Sequence, residues 1–376
     1  MTRLVMSGFE AGDTLQAGAD VLGSVGTTPS VTVVTATPTA RSGTYCLKCV
    51  PSTAGLSGGQ SQWTGYCARK AFAHASKTEL WYAFGFYSHH VSEASSAPAF
   101  AFFVTKDTAG NINTYLTHDG GIIRAYVATA GGATPTVAQS TLIAAASMST
   151  SVDAWHLIEV RLAAATGSTG NCEVYVDGVS LISTSSQRTA QTNANFGSFD
   201  IGFIAQALVG AAGTGYHAFD DVRLNDTSGS INNGRPGDGR IIALIPNGVG
   251  TTIGGTPLTP STGATNWQLV DELPPSATDY NSGSATGTGE TYALGNTTGV
   301  TACQAINVIA YALNADGGGG NIGITVKTGA GTSEGSAQAI TGTATYYTRL
   351  LETDPSDSAA WTSVKLDALE AGITVR

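Results

Sequence analysis

Charged residues are scarce in this sequence: only 12% of its 376 residues are Asp, Glu, Lys or Arg. The formal net charge is −10, and the 17 basic residues are dispersed along the chain. Binding to nucleic acid depends on clustered Lys and Arg that release counterions from phosphates. We therefore expect no nucleic-acid partner. A sparsely charged surface rich in hydroxyl groups suits contact with sugars or repeated packing in an assembly.

Long hydrophobic runs are also absent. The first ten residues, MTRLVMSGFE, lack the apolar core of a signal peptide. No apolar run reaches the roughly 20 residues that a membrane-spanning helix needs. We expect a protein that is made in a cytoplasm, is not inserted in a membrane and, if it ends outside a cell, leaves by lysis or assembly.

Helical periodicity is missing as well, except over 359–371, which could form one short helix. Glycine is abundant, at 48 residues, yet 42% of the chain is hydrophobic, which argues against disorder. Short alternating stretches such as Leu80–Tyr87 recur between turn-type clusters of Gly, Asn, Asp and Ser. The pattern predicts an all-β protein, and the length favours two β-sandwich domains.

A break in the strand pattern predicts the domain boundary. Residues 225–239 contain four Gly, one Pro and three Asn, which is typical of a linker or a long turn. New strand-like segments begin at Ile241. We therefore predict a first domain over 1–228, a linker over 229–240 and a second domain over 241–376.

The five cysteines permit two interpretations. Cys46, Cys49 and Cys67 with His74 could supply four zinc ligands. The segment Tyr45–Val50 is strand-like, however, and its two cysteines would then point to opposite faces. Buried free thiols are the favoured interpretation, and a metal site or a disulfide is the alternative.

Catalytic motifs are also lacking. No strand carries paired carboxylates at alternate positions, the arrangement by which jelly-roll glucanases hold a glycosidic bond. Two G-x-S-x-G matches, at 55–59 and 331–335, are expected by chance in a chain this rich in Gly and Ser. His89 and His90 are neighbours and would face opposite sides of a strand, so they make a poor pair of metal ligands. There is also no Walker or Rossmann nucleotide-binding fingerprint. The sequence predicts that the protein is not an enzyme.

Three segments of the first half resemble the concanavalin-A-like (laminin-G-type) jelly-roll superfamily. Residues 153–161, DAWHLIEVR, are similar to its Trp-His strand, and 172–178, CEVYVDG, to its Tyr-Val-Asp-Gly hairpin. Residues 218–224, AFDDVRL, resemble its closing strand. The resemblance implies a jelly roll over most of the first domain, with Asp177-Gly178 as a two-residue turn.

A second resemblance joins the two halves. The segments DDVRLNDTSGS, IPNG, STGATNW, VDELPP and TDPSDSAAW, between 220 and 361, look like a recurrent phage virion structural or minor tail protein. It implies a tail component on the particle surface that attaches to host glycans, with other virion proteins and copies of itself as partners. A purely architectural capsid-decoration or tail-wall protein is the alternative, and a secreted bacterial lectin is a remote third.

The jelly-roll resemblance also implies a cation. In many such sandwiches a structural calcium joins the first and last strands, and here Glu10, Asp220 and Asp221 stand at the matching places. Two carboxylates with backbone carbonyls and water could complete its six to eight oxygen ligands. The alternative is that Glu10 and Asp221 are solvated and Asp220 caps a turn.

Glycan binding would use exposed aromatic faces beside polar groups. Trp155, Trp267 and Trp361 are predicted to be core residues, since they lie in the family motifs. The predicted carbohydrate-binding residues are Trp63, Tyr66, Trp81, Tyr115, His118, Asp119 and Tyr126.

Overall fold

The computed structural model describes residues 3–13, 20–22, 30–50, 68–90, 100–119, 121–135, 137–148, 153–205, 215–316, 319–329 and 331–376. Of the described residues, 54% are in strands and 4% in helices, and the strands form antiparallel sheets, which confirms the all-β prediction. It divides into two compact units, Thr2–Ile242 and Ala243–Arg376.

Among its described residues, the first unit contains strands and a short 3-10 turn, Val137–Gln139. Its strands are β1 (Arg3–Ser7), β2 (Asp20–Leu22), β3 (Ser30–Val34), β4 (Cys46–Val50), β5 (Ala68–Lys77), β6 (Glu79–His90), β7 (Phe100–Lys106), β8 (Ile112–Asp119), β9 (Ile122–Ala128), β10 (Ser140–Ser147), β11 (Trp155–Ala163), β12 (Gly170–Val176), β13 (Val179–Gln187), β14 (Phe196–Ala205) and β15 (Gly215–Asp226).

These strands form two antiparallel sheets of a jelly-roll sandwich. One sheet has the order β13-β12-β11-β6-β15-β4-β3, with β1 also paired to β15. The other has the order β10-β9-β8-β7-β14-β5-β2. The first and last strands of the unit therefore lie side by side, which brings Ser7 of β1 opposite Val222 of β15.

Successive side chains of β6 point alternately into the core and to the outer side of its sheet. Leu80, Tyr82, Phe84 and Phe86 are fully buried in the core between the sheets. Burying each such side chain contributes roughly 1.5–3 kcal/mol. The intervening residues face the outer side of the sheet, where β6 lies between β11 and β15. This outer face carries the candidate site described below.

The predicted hairpin turn at Asp177-Gly178 is present between β12 and β13. Both residues have positive φ, 48° and 84°. Two consecutive positive φ values match the right-handed twist of the flanking strands, and Asp-Gly adopts them readily.

The second unit contains a six-stranded antiparallel sheet, a hairpin of β20 and β24 and a short β17–β18 pair. Hydrophobic clusters around Trp361 and Tyr347 join the hairpin residue Val308 to sheet residues such as Val326 and Ile324. Its elements are β16 (Pro246–Ile253), β17 (Thr259–Pro260), a 3-10 turn (Asn266–Leu269), β18 (Asn281–Ser282), β19 (Gly289–Leu294), β20 (Ile306–Ala312), β21 (Gly320–Thr328), β22 (Gly331–Glu334), β23 (Gln338–Ile340), β24 (Thr345–Leu351), α1 (Ser363–Asp367) and β25 (Glu370–Val375).

The short helix predicted within 359–371 is present as the five residues of α1, followed by β25. In the described part of the chain, no helix has the length and apolarity to cross a bilayer. Cys46 and Cys172 are buried free thiols; Cys49 is also buried, and Cys303 is half-buried. Cys67 of the alternative zinc site lies outside the described residues.

The predicted linker differs from the structure. Residues 229–240, called the strap below, belong to the first unit. They are held there by hydrogen bonds from Arg235 and Gly237 to Glu159, and from Asn225 to Gly234. The composition predicted irregular backbone correctly, but it carried no information on these long-range partners.

Candidate functional site

A cavity of about 360 Å³ opens on the first unit where β11 begins. The loop after β3, the start of β11, the β12–β13 turn and the strap build its walls. We call it the arginine cavity, and its lining residues are Ala40, Arg41, Trp155, Leu157, Asp177, Gly178, Arg235, Asp238 and Arg240.

Trp155 gives the arginine cavity an aromatic wall. It opens β11, pairs with Tyr87 of β6 and is half-buried. Its indole Nε1 donates to the carbonyl of Thr39 at 2.9 Å, which fixes the ring. The prediction that Trp155 is a core residue is wrong: the core-facing residues of β11 begin at Ile158, and Trp155 lies on the outer face. Trp267 is half-buried, and only Trp361 of the three is fully buried.

Asp177 fixes the turn that forms the opposite wall. One carboxylate oxygen accepts the backbone N–H of Leu157 at 2.8 Å, and the other lies 2.7 Å from Nδ1 of His156. These contacts fasten the β12–β13 turn to the start of β11. The cavity wall is therefore rigidly connected to the sheet.

Arg235 docks the strap and also faces the cavity. Its Nε donates to the fully buried carboxylate of Glu159 at 2.7 Å, and the N–H of Gly237 donates to the other oxygen at 2.7 Å. The guanidinium lies 4.2 Å from the centre of the Tyr175 ring. No hydrogen bond among the described residues engages either Nη atom of Arg235, or Nη2 of Arg240. These donors are available to a ligand.

Arg41 connects the cavity to buried acidic residues. Its Nη1 donates to Asp221 at 2.6 Å, and its Nη2 pairs with Asp238 of the strap. Its side chain lies over β6, where a Cβ at Gly85 would come 2.5 Å from the Arg41 Cδ. Glycine at position 85 therefore leaves the space that this arginine occupies.

The predicted calcium ligands meet in one acidic cluster, formed by Glu10, Asp220 and Asp221. All three are buried, and the backbone N–H groups of Arg41 and Ser42 donate to Asp220, and those of Thr44 and Tyr45 to Glu10, at 2.9–3.3 Å. Burial raises the pKa of Glu10 to about 7. Burial, and then the charge of Asp221, raise the pKa of Asp220. The negative charge of these two groups is therefore poorly compensated.

The members of the acidic cluster are not equivalent. Asp221 accepts from Arg41 through one oxygen, and from Ser42 Oγ at 2.5 Å and Ile241 N at 2.7 Å through the other. Its oxygens are thus engaged by donors that include a full positive charge. Glu10 and Asp220 remain as the oxygen ligands that fit a hard cation. Within the described residues, no group of three or more His, Cys, Asp or Glu side chains is arranged to hold a metal ion.

The predicted carbohydrate-binding residues are not brought together in the arginine cavity. Trp81, Tyr115 and His118 were expected to be exposed, which is wrong, because all three are buried. Trp81 packs against Tyr175, Tyr115 stacks on the half-buried Tyr126 at 5.3 Å, and His118 packs edge-on to Phe86. Asp119 ends β8, but its side chain is not among the described ones. Trp63 and Tyr66 lie outside the described residues. Whether any of them binds a glycan stays a prediction.

The charge balance of the cavity differs from that of the chain. Three arginines and two aspartates line it, whereas the whole chain carries a net charge of −10. Sequence reasoning missed this site because Arg235 and Arg240 lie in the predicted linker. Their occurrence at both ends of Arg-Pro-Gly-Asp-Gly-Arg was the available signal.

Comparisons with known proteins find similarity only among solved structures, since no family model and no curated protein matches the chain. An endo-β-1,4-glucuronan lyase from the fungus Trichoderma reesei is 15% identical, with 52% of this chain and 87% of that chain covered and a TM-score of 0.38. A cellulose-induced protein, Cip1, is 13% identical over 62% of this chain and 100% of that chain, with a TM-score of 0.43. The alginate lyase Aly36B is 14% identical over 48% and 82%, with a TM-score of 0.35.

These comparisons overturn the prediction that the protein is not an enzyme, because two of the similar structures are polysaccharide lyases. The lack of paired carboxylates on one strand argues against glycoside hydrolysis, and it does not argue against other reactions on a polysaccharide. At these identities the likeness concerns the fold and assigns no substrate to this chain.

Proposed function

We propose that the first unit binds acidic saccharides in the arginine cavity. The observation that carries the proposal is the set of guanidinium N–H donors of Arg235 and Arg240 that no described residue engages, beside the half-buried ring of Trp155. An aromatic face packs against the apolar face of a sugar ring, and guanidinium groups pair with carboxylates through parallel hydrogen bonds. Together they favour a sugar that carries a carboxylate over a neutral one.

Preorganisation supports this proposal. Trp155 is fixed by Thr39, Asp177 by the start of β11, and Arg235 by Glu159. Side chains that are already held lose little conformational entropy when a ligand binds. The cavity volume of about 360 Å³ also lies in the range of small-molecule sites, which suits one or two sugar units.

The proposal is tested by titrating the full chain with oligosaccharides of uronic acids and of neutral glucose. Calorimetry is expected to detect the acidic oligosaccharide with an affinity at least about tenfold above that of the neutral one. Arg240→Gln should reduce this preference, because it removes a free donor. Equal affinity for both ligands, or binding of neither even at high concentration, refutes the proposal.

The sequence resemblance to phage virion proteins supports a wider proposal, in which the chain is a tail component that attaches the particle to host surface glycans. Many copies on one particle would turn weak individual contacts into firm attachment. Other virion proteins and further copies of the chain are the partners in this proposal. Mass spectrometry and antibody labelling of purified particles test it. A particle-bound chain with no saccharide affinity favours the architectural alternative, and absence from the particle refutes both.

A structural calcium at Glu10 and Asp220 is a further part of the proposal. The two buried carboxylates are poorly compensated, and their oxygens are the ligands that calcium prefers. The ion would neutralise charge where the first and last strands of the unit meet. Because Asp220 also accepts the backbone N–H of Arg41 at 2.9 Å, the same neutralisation would steady a wall of the cavity.

A further inference from the structure

A second group of chemically active side chains lies beside the arginine cavity on the same sheet face. Strand pairing places Trp155, Tyr87, Ala218 and Lys48 in one row across β11, β6, β15 and β4. Two residues further along β6, on the same face, His89 pairs with Tyr216 of β15. Trp155 belongs to the cavity and its ring centre lies 5.5 Å from that of Tyr87, so the two sites are continuous.

The second group, called the histidine cluster, comprises Tyr87, His89, Tyr216, Lys48 and Asp153. Nδ1 of His89 lies 2.5 Å from Asp153 Oδ1, which orients the ring and leaves Nε2 as the free nitrogen. The His89 and Tyr216 rings stack at 4.9 Å, and the Lys48 ammonium lies 3.9 Å from the Tyr216 ring centre. The side chains of His89 and Asp153 are 45% and 50% exposed, so a ligand can reach them.

The tyrosines of this cluster are held in the protonated form. Tyr87 and Tyr216 are nearly parallel, with ring centres 6.0 Å apart, and the hydroxyl of Tyr87 donates to Asp153 Oδ1 at 3.4 Å. Burial raises the pKa of both, that of Tyr216 to about 12. Tyr87 is the more accessible of the two, so its phenol is the one that a ligand can reach.

The spacing suits a reaction on a sugar chain. Tyr87 and His89 stand at alternate positions of β6 and share one face, roughly 7 Å apart along the strand. Their side chains converge, because the Tyr87 hydroxyl and His89 Nδ1 both contact Asp153 Oδ1, at 3.4 and 2.5 Å, so an acid and a base stand close enough to address two neighbouring positions of one sugar ring. Glycoside hydrolysis would need a second carboxylate near Asp153, and the described part of the cluster holds none.

We propose that the histidine cluster catalyses β-elimination of the acidic polysaccharide that the arginine cavity binds, with His89 as the base and Tyr87 as the acid. The inference rests on the proposed function. His89 Nε2 takes the proton from the ring carbon that bears the carboxylate. That C–H electron pair forms a double bond to the neighbouring carbon, and the C–O bond to the leaving sugar breaks.

The remaining proton and charge movements also balance. The departing oxygen takes the phenolic proton of Tyr87, and proton exchange through water returns the proton from His89 to the tyrosinate. Lys48 supplies positive charge beside the carboxylate, whose negative charge would otherwise oppose removal of the adjacent proton. No oxidant, reductant or further co-reactant is needed.

The experiment uses the full chain with alginate, polygalacturonate and glucuronan, and follows the ultraviolet absorbance of the unsaturated sugar that elimination creates. At least one polyuronate is expected to give product, and a neutral β-glucan none. His89→Ala and Tyr87→Phe should each lower the rate by about 100-fold or more while leaving the Kd for the polyuronate within about twofold. His74→Ala, a change on the other sheet, should retain the wild-type rate.

The outcomes separate the two proposals. Wild-type protein that binds a polyuronate and yields no unsaturated product overturns the inference and leaves the binding proposal standing. The same holds if product forms but His89→Ala retains the wild-type rate. Absence of polyuronate binding overturns both.

Discussion

Arg235 and Arg161 offer a matched test of how the strap is held. Both arginines are about one-third exposed, at 34% and 32% of the side chain, and both lie over an aromatic ring. They differ in their partners. Glu159, the partner of Arg235, is fully buried, whereas Glu79 and Glu173, the partners of Arg161, are 30% and 17% exposed.

The difference in partner burial sets the expected magnitudes. Removing the cation from a buried carboxylate costs about 3–5 kcal/mol, and the partial exposure of Arg235 lowers this to about 2–3 kcal/mol. A solvent-exposed pair contributes only about 0–1 kcal/mol. Arg235→Gln should therefore destabilise the protein by at least about 1 kcal/mol more than Arg161→Gln.

Urea unfolding followed by tryptophan fluorescence gives the free energy of unfolding of each variant. Glu159→Gln combined with Arg235→Gln should recover part of the loss, because the double variant has no unpaired buried charge. Equal destabilisation by the two single arginine changes would show that the strap is not held through Glu159, and the description of the cavity wall would then fail.

Three further predictions follow from other sites. Burial opposes ionisation of Asp354, but hydrogen bonds from Thr328, Ser356 and Lys365 prevail and lower its pKa to about 2. Its stabilising contribution, about 1–2 kcal/mol after screening, is thus fully present above pH ~4 and lost as the pH falls towards 2. Asp354→Asn should flatten acid unfolding over that range, and an unchanged profile would contradict the assignment. Trp155→Ala should weaken binding of an acidic oligosaccharide by about 3–10-fold without a change in fold by circular dichroism, and full retention of affinity would remove Trp155 from the site. Calcium should raise the Tm at neutral pH relative to a chelator, and Glu10→Gln should lessen the rise; equal Tm values in both buffers would contradict the calcium proposal.

The sequence predicted those parts of the fold that depend on local pattern. The alternation of Leu80, Tyr82, Phe84 and Phe86 indicated a strand with a core face, and the structure buries all four. Asp177-Gly178 indicated a two-residue hairpin because few other dipeptides accept positive φ at both positions. Side-chain periodicity and turn chemistry are encoded within a few residues, so they can be read without knowledge of distant contacts.

The candidate site depends on contacts between residues far apart in the chain, and the sequence pattern did not reveal them. Arg235 meets Glu159, 76 positions away, and Arg41 meets Asp221, 180 positions away. Trp155 was predicted to be buried because it lies in a family motif, and the pattern did not show which of the two faces of β11 it occupies. The acidic cluster was the exception, because the family resemblance already paired the first strand with the last.

The structure of the full chain in complex with a short oligouronate tests the central claim most directly. We predict that a sugar ring packs on Trp155 and that its carboxylate lies within hydrogen-bonding distance of Nη atoms of Arg235 or Arg240. An oligouronate bound on the other sheet, beside Tyr115 and Tyr126, would contradict the assignment of the cavity. So would a cavity that remains without sugar at saturating concentration.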